Sequence, residues 1–182
     1  MKETDLNWKV KATSPLLSTR VFDVESRKSE SATGITGDFI AINAPDWVLV
    51  IPVAGDDFVM VRQWRHGLGA ITTEFPGGVS DRGEEPVQTA ARELLEETGF
   101  RAGKITLLGT CNPNPALFSN RVSFCLAEEL VQTQTQSLDP DEVLTYSLVP
   151  QKDVINSFCT GEYMHALMGT ALALYMRRKN CD

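Results

Sequence analysis

Gly77–Phe100 reads GGVSDRGEEPVQTAARELLEETGF, and its second half predicts a helix with an awkward charge pattern. Pro86 suits a first helical turn, where its missing N–H leaves no intrahelical bond unmade, and Gly99 suits the position just past the last turn. Val87, Ala90, Ala91, Leu94, Leu95 and Thr98 recur at helical spacing, so a helix over 86–98 would bury one stripe. Beside that stripe Glu93, Glu96 and Glu97 crowd into little more than one turn. Like charges at i,i+4 cost a helix about 0.2–0.5 kcal/mol per pair. A solvated acidic face would centre its carboxylates opposite the stripe and interleave them with lysine. This helix has no lysine. At about 100° per residue, Glu93 and Glu97 lie roughly 40° apart on one flank of the stripe, and Glu96 points further out.

A hard divalent cation would remove the repulsion. Mg²⁺ and Mn²⁺ take oxygen ligands, commonly one or two carboxylates completed by waters and substrate phosphates. Glu93 and Glu97 could supply such ligands from adjacent turns, and Glu84 could fold back over the same place. Pro76, Gly77 and Gly78 precede a loop whose backbone can approach a ligand closely, because glycine has no Cβ. Arg92 has two readings: an i,i+4 partner for Glu96, or a residue that orients a ligating carboxylate.

The rest of the chain bounds the problem. Its 182 residues suggest one domain that can bury a core without disulfide or metal staples. A formal net charge of −7 argues against polymeric nucleic acid, whose affinity rests on Lys and Arg neutralising phosphates. The N-terminal MKETDLNWKVKATS has no apolar h-region, so no signal peptide is expected, and no run is long enough for a membrane span. Cys111, Cys125, Cys159 and Cys181 are far apart and read as free thiols in a reducing cytoplasm. His66 and His165 are too isolated to suggest a triad or a zinc site.

WVLVIPVA (47–54), a GDD turn and FVMVRQW (58–64) read as a β-hairpin. Further strands are expected at 104–111, 121–129 and 143–149, and further helices at about 151–159 and 162–179. The last helix is apolar almost all round and reads as a core helix rather than a membrane-surface anchor. The polar stretch 24–38 reads as a loop or a loose hairpin. Strands interleaved with helices predict an α/β layered domain.

The residues now match a known pattern. Gly78, five residues, Glu84, seven residues, then Arg92-Glu93-Leu94-Leu95-Glu96-Glu97-Thr98-Gly99-Phe100 resembles a complete Nudix box, with Phe100 where an aliphatic residue is commoner. The resemblance implies an α/β/α sandwich with a mixed β-sheet and Mg²⁺-dependent (or Mn²⁺-dependent) hydrolysis of a nucleoside diphosphate linked to another group. It implies that Glu93 and Glu97 are the principal metal ligands, assisted by Glu96 and the Gly77 carbonyl, with Arg92 supporting them.

VRQWRHG followed by TEFPGGV resembles the segment before the box in ADP-ribose and other nucleoside-diphosphate-sugar pyrophosphatases. There, residues matching Arg65 and Glu74 line the substrate cleft; otherwise they read as a surface cation and a strand-end charge. The resemblance also points to a base in SLDPDEVLTYSLV, where Glu142 is the candidate beside Asp139 and Asp141. It implies a homodimer, with residues 1–45 as N-terminal strands for dimerisation ahead of a hydrolase domain at 46–182. The competing readings are a house-cleaning nucleotide or dinucleotide pyrophosphatase and a non-catalytic nucleotide-sensing module.

Overall fold

The computed structural model describes residues 2–181, which gather into two units. One holds the residues up to Pro45 together with Asn112–Arg121, and the other holds Asp46–Cys111 together with the residues from Val122 on.

In the first unit β1 (Trp8–Ser18), β2 (Asp23–Ser31) and β3 (Thr36–Asn43) form an antiparallel sheet in that order. The polar stretch 24–38 takes the hairpin form, with Asp23 opposite Asn43 and Glu30 opposite Thr36. Its turn includes Gly34 at φ 86°, a left-handed position that glycine occupies without strain. The segment Asn112–Arg121 is laced by Asn112, whose Nδ2 donates to the carbonyls of Phe118 (2.7 Å) and Asn120 (2.9 Å). It is joined to β3 where the Ile42 N–H donates to the Leu117 carbonyl.

The second unit is built around β4 (Trp47–Ala54). Leu49 and Ile51 pack with Phe58, Phe124, Met168 and Tyr175, whereas Val48 and Val50 pack with Ala90, Leu94, Cys125 and Ala127. Successive strand side chains face opposite ways. A strand covered on both faces therefore reads as a continuous apolar run, as WVLVIPVA does. The two cores are the two faces of an α/β/α sandwich.

β4 and β5 (Asp57–Arg65) pair only at the hairpin end, Val53 opposite Phe58 and Ala54 opposite Asp57, and then part. β6 (Ala70–Glu74) and β7 (Gly77–Val79) fill the opening, β6 paired with β5 and β7 with β4. α1 (Pro86–Thr98) follows, then β8 (Phe100–Cys111), β9 (Val122–Gln132) and β10 (Leu144–Pro150). The strand order is β10-β5-β4-β9-β8; β4 and β9 are parallel and the other neighbours antiparallel, so the sheet is mixed. α2 (Gln151–Ser157) and α3 (Ala166–Lys179) complete the core opposite α1.

Two helices differ from expectation. α1 buries Thr89, Ala90, Glu93, Leu94, Glu97 and Thr98, while Val87 and Ala91 are exposed. The buried face is thus turned toward the carboxylates, because the adjoining strand is glycine at Gly77 and Gly78 and leaves room for them. α3 starts at Ala166 rather than near 162, since the Glu162 carbonyl accepts the Thr73 N–H instead of opening a helix. It buries Met168, Ala171, Leu172 and Tyr175, one face of i, i+3, i+4, i+7 spacing.

Two glycines separate backbone strain from crowding. Gly55 (φ 64°) and Gly99 (φ 75°) are both left-handed; a Cβ at Gly55 would meet open space, but one at Gly99 would run into the Gln134 carbonyl. Gly55→Ala should cost about 1–2 kcal/mol, the price of a left-handed L-residue. Gly99→Ala should cost a further 1–3 kcal/mol or so, as overpacking does. Urea denaturation of both variants measures the difference, and equal losses would show that the Gln134 segment yields freely.

Candidate active site

The carboxylates of α1 are held against the sheet by close backbone approach. A Cβ on Gly77 would strike the Val48 carbonyl, and a Cβ on Gly78 would enter the space of the Glu93 carboxylate. Glycine at both places lets α1 lie close enough for Glu97 to accept the Gly77 N–H at Oε2 (2.9 Å). Gly77 thus meets Glu97 through its amide. Glu93 and Glu97 are 8% and 2% exposed, which removes both from bulk water.

Burial pushes Glu93 up to about 7; Arg92 opposes the shift, and Glu96 and Glu142 add to it. Burial likewise pushes Glu97 up to about 8, against the Gly77 N–H and with the help of Glu93 and Glu142. Both carboxylates therefore sit where their ionised forms need another positive charge.

Arg92 binds the outer side of the cluster. Its Nη1 donates to Glu93 Oε1 (2.8 Å) and Glu96 Oε2 (3.1 Å), and its Nη2 donates to Glu84 Oε2 and the Val79 carbonyl, each at 3.0 Å. Arg92 makes the i,i+4 pair with Glu96 and hydrogen-bonds Glu93 as well. Glu84 does fold back: it also accepts from Thr89 Oγ1 (2.9 Å) and the Asp81 N–H (3.1 Å). The hydrogen bond from Arg92, above all, holds Glu84 down at about 2.

A second cluster lies on β5 and β6. Glu74 is 0% exposed, and its Oε1 accepts from Arg65 Nε (2.7 Å) and Thr72 Oγ1 (2.8 Å). His165 Nδ1 stands 2.6 Å from Oε2. Burial alone would raise Glu74; His165 and Arg65 outweigh it and hold the carboxyl down at about 2. Glu74 ends β6 three residues before Gly77, whose N–H bonds Glu97, so the two clusters adjoin along the chain.

Glu142 lies in the exposed segment between β9 and β10, where its N–H donates to the Asp139 carbonyl (3.0 Å). Its charge adds to the upward push on both Glu93 and Glu97. The segment is tied to the end of α1: Gln136 Nε2 donates to the Glu97 carbonyl (2.5 Å) and the Ser137 N–H to the Glu96 carbonyl (2.9 Å). His165, Thr72 and Gln136 carried no signal in the sequence, because their contacts join residues far apart in the chain.

The donor set suits a hard divalent cation. It offers only oxygens, from two buried carboxylates whose charges lack full compensation. Among the described residues no three His, Cys, Asp or Glu side chains converge into a ready-made metal cage. A hard divalent cation takes one or two carboxylates completed by waters and substrate oxygens.

Comparison with known proteins places this geometry among relatives. The NUDIX domain family model matches residues 45–165. An ADP-ribose pyrophosphatase from Bacillus subtilis (strain 168) is 33% identical over 152 residues, 82% of each chain. ADP compounds hydrolase NudE from Escherichia coli (strain K12) is 30% identical over 125 residues, 68% of this chain and 66% of that one. A crystal structure of an ADP compounds hydrolase superposes with a TM-score of 0.84 over 97% of this chain and 96% of that one; at 24% identity it speaks to the fold.

The buried carboxylates give a pH signature. Glu93 and Glu97 bind protons more tightly folded than unfolded, so in EDTA their contribution to stability is lost as pH rises from about 5 through about 7 and 8. Glu74 and Glu84 have the opposite sign, but their stabilisation is complete above the ordinary 4.5 and is lost only toward pH 2. The melting temperature in EDTA should therefore fall between about pH 5.5 and 8.5, and the fall should flatten in Glu93→Gln/Glu97→Gln. A wild-type profile as flat as that of the double variant would refute the assignment.

Proposed function

From the premise that this chain belongs to the Nudix family, we propose that it hydrolyses the pyrophosphate bond of ADP-ribose or a related nucleoside-diphosphate sugar, releasing a nucleoside monophosphate and a sugar phosphate. The observation that carries the reading is the adjacency of the two clusters. Buried Glu93 and Glu97 are suited to a cation, and Arg65 is fixed on Glu74, three residues before the Gly77 amide that binds Glu97. The names of the relatives, an ADP-ribose pyrophosphatase and an ADP compounds hydrolase, support an ADP-linked substrate.

Glu93 and Glu97 would hold Mg²⁺ (or Mn²⁺), with Glu96 and the Gly77 carbonyl assisting. Such an ion, when bound, neutralises pyrophosphate oxygens and lowers the pKa of water. Arg92 keeps Glu93 and Glu96 in place. Arg65 offers its guanidinium to a phosphate, a planar fork well matched to that group. Glu142 accepts the proton of the attacking water as its oxygen bonds to phosphorus and the bridging P–O bond breaks. Glu142 is exposed on a segment tied to the end of α1, which leaves its carboxylate open to a water.

Product analysis tests this. With Mg²⁺ and a panel of ADP-ribose, other NDP-sugars, dinucleotides and NTPs, ADP-ribose should yield AMP and ribose 5-phosphate. Glu97→Gln should lose at least the 10–100-fold that removing a ligand-orienting residue typically costs. Preferred turnover of NTPs would replace the substrate assignment, and Mg²⁺-independent turnover would remove the metal assignment.

We further propose a homodimer in the cytoplasm. Trp8, Val10, Leu16, Leu17 and Phe39 are all exposed on the sheet of the first unit, which is more apolar surface than a lone sheet commonly leaves to water. The free thiols at Cys111, Cys125, Cys159 and Cys181 suit a reducing compartment. Sedimentation equilibrium should give twice the chain mass, and Trp8→Glu/Leu17→Glu should shift it to the monomer. A wild-type monomer with full activity would overturn the dimer.

A further inference from the structure

The pairing of β5 with β6 sorts their side chains by face. Val61 opposite Glu74, Gln63 opposite Thr72 and Arg65 opposite Ala70 put Arg65, Thr72 and Glu74 on one side. Arg62 opposite Thr73 and Trp64 opposite Ile71 lie on the other. The connection from α2 to α3 runs beside β6, where the Thr73 N–H donates to the Glu162 carbonyl (2.9 Å). On one face Arg62 (2.5 and 2.8 Å) and Thr73 Oγ1 (3.0 Å) clamp the Glu162 carboxylate. On the other face the same connection ends in His165, which reaches Glu74. Arg62, Thr73 and Glu162 thus fix the strand of chain that delivers the imidazole.

The chemistry at Glu74 is constrained. Oε1 serves Arg65 and Thr72, and Oε2 faces His165 Nδ1 at 2.6 Å, an ion-pair distance whose N–H is off hydrogen-bond alignment. Two lone pairs cannot approach so closely, so Nδ1 carries a proton whatever the state of Nε2. Arg65 spends only Nε on Glu74; its terminal nitrogens have no protein partner among the described residues. The direction of the Arg65 fork therefore depends on how Glu74 is turned, and Glu74 is turned by Thr72 and His165.

We infer that His165 is a positioning residue: with Nδ1–H against Glu74 Oε2, it presents Oε1 to Arg65 and so aims the terminal nitrogens of Arg65 at a substrate phosphate. The inference rests on the pyrophosphatase reading only for the nature of that phosphate.

The test is a double-mutant cycle on the full chain: wild type, His165→Ala, His165→Asn, Arg65→Ala and Arg65→Ala/His165→Ala. Kinetics use ADP-ribose with Mg²⁺, and calorimetric titration with ADP gives a second readout that needs no turnover. His165→Ala should raise KM about tenfold with kcat within about twofold, and should add nothing once Arg65 is alanine. Asparagine places an amide N–H near the position of Nδ1, so His165→Asn should restore KM. Equal effects of His165→Ala in both backgrounds, or a lower melting temperature with KM unchanged, would show a structural role alone and overturn the inference. If wild type leaves ADP-ribose intact, the substrate assignment fails separately and the ADP dissociation constants decide. The same non-additive pattern there supports His165, and equal ADP affinity in wild type and Arg65→Ala overturns it.

Discussion

Two glutamates on adjacent turns of α1 are buried against backbone, and much of the second unit follows from making that arrangement possible. Glu93 needs the space that a side chain at Gly78 would fill, and Glu97 needs the Gly77 amide. Those glycines must in turn lie close to β4, which they do because β7 pairs with β4 through Leu49 opposite Gly77 and Val48 opposite Gly78. A side chain at Gly77 would break this pairing against the Val48 carbonyl before it disturbed any carboxylate. The motif is thus a packing constraint in its own right.

The parting of β4 from β5 is the second consequence. A regular hairpin would leave no opening for β6 and β7. Because pairing stops after Val53 and Phe58, one short strand segment hydrogen-bonds first to β5 and then to β4. It ends one pairing with Glu74 and begins the next with Gly77, with Phe75 buried between them. The Arg65 cluster and the carboxylate cluster are neighbours for this reason, although their residues sit on different elements.

Much of this was legible in the sequence. β4 runs from Trp47 to Ala54 as its apolar run required, and α1 from Pro86 to Thr98 as its proline and glycine required. The carboxylate pattern singled out Glu93 and Glu97, which are buried, because charge repulsion on a helix is a local property. β7 was illegible: two of its three residues are glycine, which disfavours strands, and it is extended where it pairs with β4. The strands of 1–45 were expected only from the resemblance, because residues 24–38 are polar and Pro15 interrupts β1. The rotation of the α1 face toward Glu93 and Glu97 could not be read from helical periodicity, which assumes that charged residues avoid the core. His165 looked isolated because its partner is brought to it only by the sheet edge.

Three buried glutamates in one unit show how environment divides one chemistry into two roles. Glu74 is as closed to solvent as Glu93 and Glu97, yet it is held at about 2 while they rise to about 7 and 8. Depth therefore does not set the direction. Glu74 has Arg65 and His165 within 2.7 Å and needs nothing from outside the chain. Glu97 has one backbone N–H and the carboxylates of Glu93 and Glu142 for company, and Glu93 shares a single arginine with Glu84 and Glu96. Glu74 is suited to be a permanent anion that aims an arginine. Glu93 and Glu97 are suited to be anions on condition, fully ionised near neutral pH when a cation joins them. The same residue type thus serves opposite ends, set by whether its partners lie within the chain.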